Sequence, residues 1–513
     1  MTDSTAQIDA IRQGYAFDGA ALELGAAVAD GQAHPEAPVR IPLSVMNRHG
    51  LVAGATGTGK TKTLQLMAEQ LSHGGVPVFV ADIKGDLSGL ATAGQGSDKV
   101  QARATDVGQT WEGAGFPTQL FSLGGQGKGI PLRASVTSFG PTLLAKVLGL
   151  NATQESSLGL IFHYADSKGL LLDDLKDLRE VITHLTSDEG KAELKAVGGL
   201  STATAGVILR ELVTFQNQGA DAFFGLPECD TSDFLQVAAD GRGTISCLEL
   251  PAVQDRPQLF STFLMWLLAD LFHDLPEVGD VDKPKLVFFF DEAHLLFDGA
   301  SKAFLGSIEQ TVRLIRSKGV GVFFVTQSPQ DVPSGVLGQL GNHVQHALRA
   351  FTPDDAKALR AAVKTYPRSG YDLEQLLTQL GTGEAIVTVL SETGAPTPVA
   401  WTRMRAPQSL MGPSDPATLD QLIATSPLAA KYAQAQDRES AYEKLTAQEA
   451  AAPAPETKAP ERHAKTRQES AKEDPGLFQQ VVQSSAFRSM MRSAGTQIGR
   501  EITRSIFGTA RRR

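Results

Sequence analysis

The stretch "LVAGATGTGKTKT" at residues 51–63 is the part of the sequence that most strongly indicates the fold. A short apolar run leads into a glycine-rich turn with the spacing G-x-x-x-x-G-K-T, from Gly54 to Thr61, and a helical pattern follows. In this setting of strand, turn and helix, the pattern is typical of a loop whose backbone N–H groups surround nucleotide phosphates. The alternative is an ordinary glycine-rich connection. We interpret the stretch as a phosphate-binding loop that opens an α/β domain.

Specific roles follow for the side chains of this loop. Lys60 is expected to reach the β- and γ-phosphates, and the Thr61 hydroxyl is a candidate ligand for Mg²⁺. The residues expected to contact the nucleotide are Gly54, Ala55, Thr56, Gly57, Thr58, Gly59, Lys60, Thr61 and Lys62.

A second chemical element is the segment "KLVFFFDEAH" at 285–294. Its uninterrupted apolar run is typical of a central parallel strand, and it ends at Asp291 and Glu292, where open α/β sheets bind their ligands. We expect Asp291 to hold Mg²⁺ and Glu292 to act as the general base, or to orient the water that attacks the γ-phosphate. The alternative is that both residues cap the next helix.

Polar residues near two other predicted strands are weaker candidates. Gln327 follows the apolar run at 319–326, where it would contact the γ-phosphate or the attacking water, or simply form a turn. Arg316 is a candidate arginine finger for the nucleotide of a neighbouring subunit, with Arg313 as the alternative. Three charged residues follow the strand at 76–82 and either approach the nucleotide or pore, or serve turn and capping chemistry: Asp82, Lys84 and Asp86.

Alternating strand and helix patterns predict an α/β fold with a mainly parallel sheet. Strands are expected at 50–54, 76–82, 118–123, 243–250, 285–291, 319–327, 344–351, 384–390 and 397–404. The predicted organisation is an N-terminal extension (1–40), a core in two parts (41–137 and 223–430), an all-helical insertion (138–222), a disordered linker (431–475) and a basic amphipathic C-terminal helix (476–513).

The two C-terminal segments are predicted from composition. Residues 431–475 are rich in Ala, Pro, Glu and Lys and have too few large apolar residues to offset the entropy of ordering. In the tail, apolar residues recur at roughly helical intervals with arginines between them. Such a helix would dock on a subunit or a protein adaptor, bind nucleic acid, or contact an anionic membrane.

Composition limits the class of protein. The chain has 513 residues, 42% of them hydrophobic, and a formal net charge of -10, which suits a globular protein but leaves room for a local basic stripe or pore that binds DNA. Cys229 and Cys247 lack metal-type spacing. The apolar stretch at 259–272 contains Asp270 and is too short to span a bilayer, so it predicts a buried helix. We therefore expect a cytoplasmic protein without membrane insertion.

The motifs "GATGTGKT", "VFVADIKGDLSG", "FFFDEAH" and "RSKGVGVFFVTQSP" resemble the HerA-like branch of the HerA/FtsK ATPases, and more closely a bacterial HerA-like family catalogued as a domain of unknown function. The resemblance covers roughly residues 40–405 and implies a RecA-like P-loop NTPase core. HerA proper begins with a small β-barrel domain, whereas here only the extension at 1–40 precedes the core. The usual docking surface for a nuclease partner is therefore in doubt here.

Carried over residue by residue, the resemblance implies that Lys60 and Thr61 bind phosphate and Mg²⁺, and that Asp291 and Glu292 form the Walker B pair. It further implies that Gln327 is a polar sensor and Arg316 a trans arginine finger. It also implies specificity for ATP, a homo-hexameric ring with nucleotide at the subunit interfaces, and DNA in the pore.

The function expected from the sequence is an ATP-hydrolysing motor, a hexameric DNA translocase or helicase. One alternative is a P-loop ATPase that remodels or secretes protein. Another is a scaffold whose assembly depends on ATP.

Overall fold

The computed structural model describes residues 4–196, 199–279, 281–298 and 302–451. In these residues, twelve strands form one sheet. In chain order they are β1 (Ala21–Ala29), β2 (Gln32–Pro42), β3 (Gly50–Ala53), β4 (Val78–Asp82), β5 (Thr118–Leu123), β6 (Ile130–Leu132), β7 (Ile245–Glu249), β8 (Leu286–Phe290), β9 (Val320–Thr326), β10 (Asn342–Gln345), β11 (Glu384–Thr388) and β12 (Ala400–Met404).

Across the sheet, the strand order is β2-β1-β12-β11-β10-β3-β9-β8-β4-β7-β5-β6. All neighbouring pairs from β10 to β6 are parallel, and the pairs from β2 to β10 are antiparallel. The predicted α/β fold with a mainly parallel sheet is therefore confirmed.

Helices cover both faces of this sheet. In chain order they are α1 (Ser4–Gly14), α2 (Lys60–His73), α3 (Asp98–Asp106), α4 (Val136–Val147), α5 (Ala152–Ser167), α6 (Leu175–Thr186), α7 (Lys191–Ala196), α8 (Thr202–Asn217), α9 (Pro257–Asp274), α10 (His294–Phe297), α11 (Lys302–Ile315), α12 (Ser334–Leu337), α13 (Pro353–Val363), α14 (Leu373–Gln379), α15 (Pro416–Thr425), α16 (Pro427–Tyr432) and α17 (Ala441–Ala451). Among the described residues, no helix combines the length and the apolar character needed to cross a bilayer.

The central strands are buried on both faces, as the apolar run in β8 predicts. Phe288 and Phe290 belong to the core that contains α4 to α9, whereas Phe289 belongs to the core on the opposite face, which contains α1 and α2. The predicted buried helix at 259–272 is α9, and it lies in the first of these cores. Between β6 and β7, the described residues form α4 to α8 and contain no strand.

The strand order places a switch point beside β3. From β3 the chain passes through α2 to β4, which lies beyond β9 and β8, whereas β10 occupies the other side of β3. The registers pair Ala53 with both Thr326 and Gln345, so the carboxyl ends of β3, β9 and β10 coincide. Ligands of open α/β sheets bind at such points.

Three strands, all near the edges of the sheet, are not predicted by the sequence pattern. β1 is rich in Ala and Gly, which are depleted in strands, and β2 contains Pro35 and Pro38. β2 and β6, which contains Pro131, are the two outermost strands, where proline costs the least hydrogen bonding. The sheet thus begins before residue 41, within the segment predicted to be an N-terminal extension.

Two sequence predictions need correction. The strand expected at 344–351 ends at Gln345, because its partner β3 ends at Ala53. The start of the predicted linker is also ordered, since α17 packs against α6 and buries Leu445. The rest of the linker and the basic C-terminal helix lie outside the described residues.

Candidate nucleotide-binding site

The glycine-rich loop requires its glycines. Gly54, Gly57 and Gly59 have φ values of 154°, 79° and 116°, a range that side chains rarely adopt. A Cβ on Gly54 would lie only 2.5 Å from Cβ of His346. Within the loop, the Thr58 hydroxyl donates to the Ala55 carbonyl at 2.7 Å. The loop therefore has a fixed shape and leads directly into α2.

Segments on one side of the loop hold it in place. The Ala55 N–H donates to the Ala347 carbonyl at 2.8 Å, and the Gly383 N–H donates to the Thr58 carbonyl at 2.9 Å. Both segments come from the region after β10, far away in sequence.

His346, which the sequence pattern did not single out, packs beside the loop and contacts the start of α2. Its Nδ1 lies 2.8 Å from the Glu384 carbonyl, which can only accept, and its Nε2 lies 2.8 Å from the Thr63 hydroxyl. Burial lowers the pKa of His346 to about 4, so the ring is neutral at neutral pH. Only the position of β10 beside β3 reveals this contact, and the sequence pattern does not give that position.

The side chains at the start of α2 take different directions. Lys60 is 7% exposed and its Nζ donates to the Ala55 carbonyl at 3.2 Å. Burial lowers the pKa of Lys60, and the negative charge of Glu292 offsets only part of this shift. Thr61 is half-buried in the first turn of α2, whereas the Nζ of Lys62 donates to Gln65 Oε1 at 3.2 Å along the helix. The Lys62 side chain therefore lies along α2.

Carboxylates cluster where β4 and β8 end. The register pairs Ala81 with Phe290, so Asp82 and Asp291 follow side by side. Single oxygens of Asp82, Asp86 and Asp291 lie within 4.8 Å of one another. Asp82 also stabilises the turn after β4, because its carboxylate accepts hydrogen bonds from three backbone N–H groups of that turn.

The side chain of Asp291 has the properties of a cation ligand. It is 4% exposed, and its Oδ2 has no hydrogen-bond partner in the described part of the chain. Burial, with the charges of Glu292 and Asp82, raises the pKa of Asp291 to about 7. A buried carboxylate oxygen without a partner, among other carboxylates, fits a hard divalent cation.

Glu292 lies next to Asp291 in an unusual backbone conformation. Its φ is 47°, and such values in non-glycine residues are concentrated at functional sites. Burial alone would raise the pKa of Glu292, but an ion pair with Lys84 outweighs it and lowers the pKa. The other carboxylate oxygen lies 3.3 Å from Nδ1 of His294.

Gln327 is brought to the same edge of the sheet. It is exposed and directly follows β9, whose last residue, Thr326, pairs with Ala53 at the base of the loop. Asp331 fixes the turn by accepting the Thr326 hydroxyl at 2.6 Å and the Ser328 N–H at 2.9 Å. The structure therefore groups Gln327 with the loop and the carboxylates.

The two candidate arginine fingers lie elsewhere. Arg316 precedes β9, so it lies at the amino ends of the strands, about 20 Å from the loop at the rise of an extended strand. The guanidinium of Arg313 pairs with Glu309 on its own helix at 2.7 Å. Neither arginine reaches the phosphate loop of its own chain.

The fold and site define a P-loop ATPase, in which a phosphate loop after a central strand faces acidic residues after a neighbouring strand. The chain belongs to the family described as helicase HerA-like, C-terminal, whose model matches residues 28–513. The family resemblance predicted from the sequence is thus confirmed. No curated protein matches the sequence.

Solved structures show the same fold. The bacterial conjugative coupling protein TrwB, in an unbound form, is 14% identical with a TM-score of 0.52, over 80% of this chain and 94% of that chain. TrwB in complex with the ATP analogue ADPNP is 16% identical with a TM-score of 0.51, over 78% of this chain and 99% of that one. TrwB with the GTP analogue GDPNP gives the same values. The predicted RecA-like P-loop fold is confirmed.

Proposed function

We propose that this protein is an ATP-hydrolysing motor that works as a homo-hexameric ring and translocates DNA. The observation that carries the proposal is the grouping of Lys60, Asp291, Glu292 and Gln327 at one edge of the sheet, around a loop shaped for phosphates. The family description as a helicase and the likeness to plasmid coupling proteins support DNA as the substrate.

The side chains divide the work of hydrolysis. The loop N–H groups and Lys60 bind the phosphates, and Glu292 orients and deprotonates the attacking water. Gln327 contacts the γ-phosphate or that water. Thr61 and Asp291 would hold Mg²⁺, and Oδ2 of Asp291, which has no hydrogen-bond partner among the described residues, fits this ion. When bound, Mg²⁺ neutralises charge that develops on the phosphates.

Coupling between subunits is assigned to Arg316. Because this arginine lies at the opposite edge of the sheet from its own loop, it can stabilise transferred phosphate charge only in a neighbouring subunit. That requirement favours a ring with nucleotide at the interfaces.

The test is steady-state ATPase activity with and without double- or single-stranded DNA, at low and moderate salt. Lys60→Ala is the inactive reference, and Lys128→Ala is the control because this half-exposed lysine forms a surface ion pair with Asp420. We expect DNA to stimulate hydrolysis and the stimulation to fade with salt, as phosphate contacts require.

Two results would redirect the proposal. A rate of ATP hydrolysis that depends on Lys60 but does not change when DNA is added would indicate a protein substrate. Glu292→Gln should retain ATP but not hydrolyse it, so full cellular activity of that variant would indicate an ATP-dependent scaffold.

A further inference from the structure

Phe351 is unusually exposed for a large apolar residue. In the described part of the chain its relative exposure is 82%, and the next large apolar side chain, Val237, reaches 50%. Isolated exposed apolar residues are ordinary. The position of Phe351 is what requires an explanation.

The segment after β10 leads to Phe351 along the phosphate loop. The His346 N–H donates to the Ala53 carbonyl at 2.7 Å, Ala347 accepts from Ala55, and Nη2 of Arg349 lies 3.4 Å from the Thr56 carbonyl. Phe351 follows two residues later, at most about 7 Å further along an extended chain. Phe351 therefore lies two residues beyond a segment that contacts the phosphate loop.

The backbone of Phe351 is fixed although its ring is free. Oδ2 of Asp355 accepts the Phe351 N–H at 3.2 Å and the Thr352 N–H at 2.9 Å, within the capping box of α13. An apolar residue before such a cap often packs on the first turn of the helix, here on Ala356. At 82% exposure the Phe351 ring does not pack on Ala356, so a backbone held by hydrogen bonds presents the ring to solvent.

The direction of a bound nucleotide follows from the carboxylates. Glu292 and Asp291 lie on the β9 and β8 side of the loop, so the terminal phosphate faces that side. The nucleoside then points to the opposite side, where the segment with Arg349 and the exposed Thr382 flank the loop. Arg103 fixes this second flank by donating to the Thr382 and Gly383 carbonyls.

We propose that Phe351 and Arg349 form the nucleobase site, in which the base stacks on the Phe351 ring and the Arg349 guanidinium lies against the stacked pair. This inference rests on the proposed nucleotide binding and adds the residues that hold the base. Stacking uses the π-face that every base has, and a neighbouring guanidinium adds cation–π attraction. The site therefore accepts adenine and guanine with similar affinity.

The experiment measures dissociation constants for three probes: imido-ATP, imido-GTP and inorganic tripolyphosphate. The variants are Phe351→Ala and Phe351→Trp, with Met411→Ala as the matched control because Met411 is also an exposed apolar residue, at 40%. Phe351→Ala should weaken both nucleotides roughly tenfold, the effect of losing one stacked base, and leave tripolyphosphate unchanged. Phe351→Trp should restore nucleotide affinity, and Met411→Ala should match the parent.

Three outcomes would overturn the inference. Parental nucleotide affinity in Phe351→Ala would refute base stacking while the proposed function stands. An equal loss for tripolyphosphate would show that the change disturbs the loop and not a base site. If the unmodified protein bound none of the probes more tightly than Lys60→Ala, both this inference and the proposed function would fail.

Discussion

Nζ of Lys84 and Oε1 of Glu292 form an ion pair across the carboxyl ends of the neighbouring strands β4 and β8. The two side chains differ in environment, because the Lys84 side chain is 46% exposed and that of Glu292 only 7%. Burial lowers the pKa of Lys84, but the neighbouring Glu292 raises it by more, so the pKa of Lys84 lies above its ordinary value. A half-exposed lysine thus holds the buried carboxylate to which we assign water activation.

Lys84→Ala is therefore expected to slow hydrolysis without loss of nucleotide affinity. Misplacing a reacting group by about 1 Å can cost roughly a hundredfold, so we expect kcat to fall ten- to a hundredfold. The dissociation constant for a non-hydrolysable ATP analogue should stay within about threefold, since phosphate binding falls to the loop and Lys60. Steady-state ATPase assays and analogue titrations measure both quantities.

A double-mutant cycle separates this role from general damage. In the Glu292→Gln background, removal of Lys84 should have little further effect on residual turnover or melting temperature, because the charged partner is already absent. Lys84→Arg should retain part of the activity. Unchanged kcat in Lys84→Ala, or equal losses in both backgrounds, would refute the assigned role.

Arg316 is expected to act only between subunits. Arg316→Ala should bind the ATP analogue normally yet lose roughly a thousandfold in kcat, as removal of an arginine finger does. Mixing this variant with Lys60→Ala should restore part of the activity, since an interface in which the Arg316→Ala subunit supplies the loop and the Lys60→Ala subunit supplies the arginine is intact.

The neighbouring Arg313 supplies the matched control. Arg313 is the alternative candidate and pairs with Glu309 on α11 through an exposed side chain, so Arg313→Ala should keep the parental rate if Arg316 is the finger. A failure of mixing to restore activity, with both variants shown to co-assemble, would argue against catalysis in trans.

The positions of the loop and of Asp291 and Glu292 could be predicted from sequence because each lies in one contiguous stretch of the chain. A complete glycine-rich pattern fixes Lys60 and Thr61, and an apolar strand fixes Asp291 and Glu292 at its end. Such features need only local spacing and the rule that strands of a parallel sheet end together.

Other parts of the site depend on which strands are neighbours. Lys84 meets Glu292 only because β4 lies beside β8, and His346 supports the loop only because β10 lies beside β3. Neither neighbour relation is encoded in periodicity. Edge strands such as β2 escape prediction for the opposite reason, since the prolines that argue against a strand are tolerated at an edge.

His49 should make stability fall in mild acid. It is 2% exposed, and its Nδ1 accepts the Val322 N–H at 3.0 Å. Burial, with nearby Arg316, lowers the pKa of His49 to about 4, below the usual value in an unfolded chain. The unfolded chain therefore binds the proton first, so this contribution is complete above roughly pH 6.5 and is lost as the pH falls towards 4.

Comparison with His49→Asn isolates this effect. An asparagine does not titrate, can supply an acceptor near Nδ1, and tolerates the backbone φ of 59° better than most residues. Between about pH 7.5 and 5, the parent should lose about 2 kcal/mol more unfolding free energy than the variant. Urea unfolding at several pH values measures the difference, and parallel curves for the two proteins would contradict it.

Asp177 should hold the segment that contains α17 on the helical part of the protein. This fully buried carboxylate accepts the Asp173 and Asp174 N–H groups at 2.9 and 3.0 Å, the Tyr442 N–H at 3.0 Å and the Ser440 hydroxyl at 2.5 Å. Asp177→Ala leaves these donors without their acceptor, which should cost about 3 kcal/mol and release the segment. Limited proteolysis should then cut between Tyr432 and α17 much faster than in the parent. Asp188→Ala, at a carboxylate whose side chain is 96% exposed, is the control, and equal cleavage of both variants would show that Asp177 does not hold the segment.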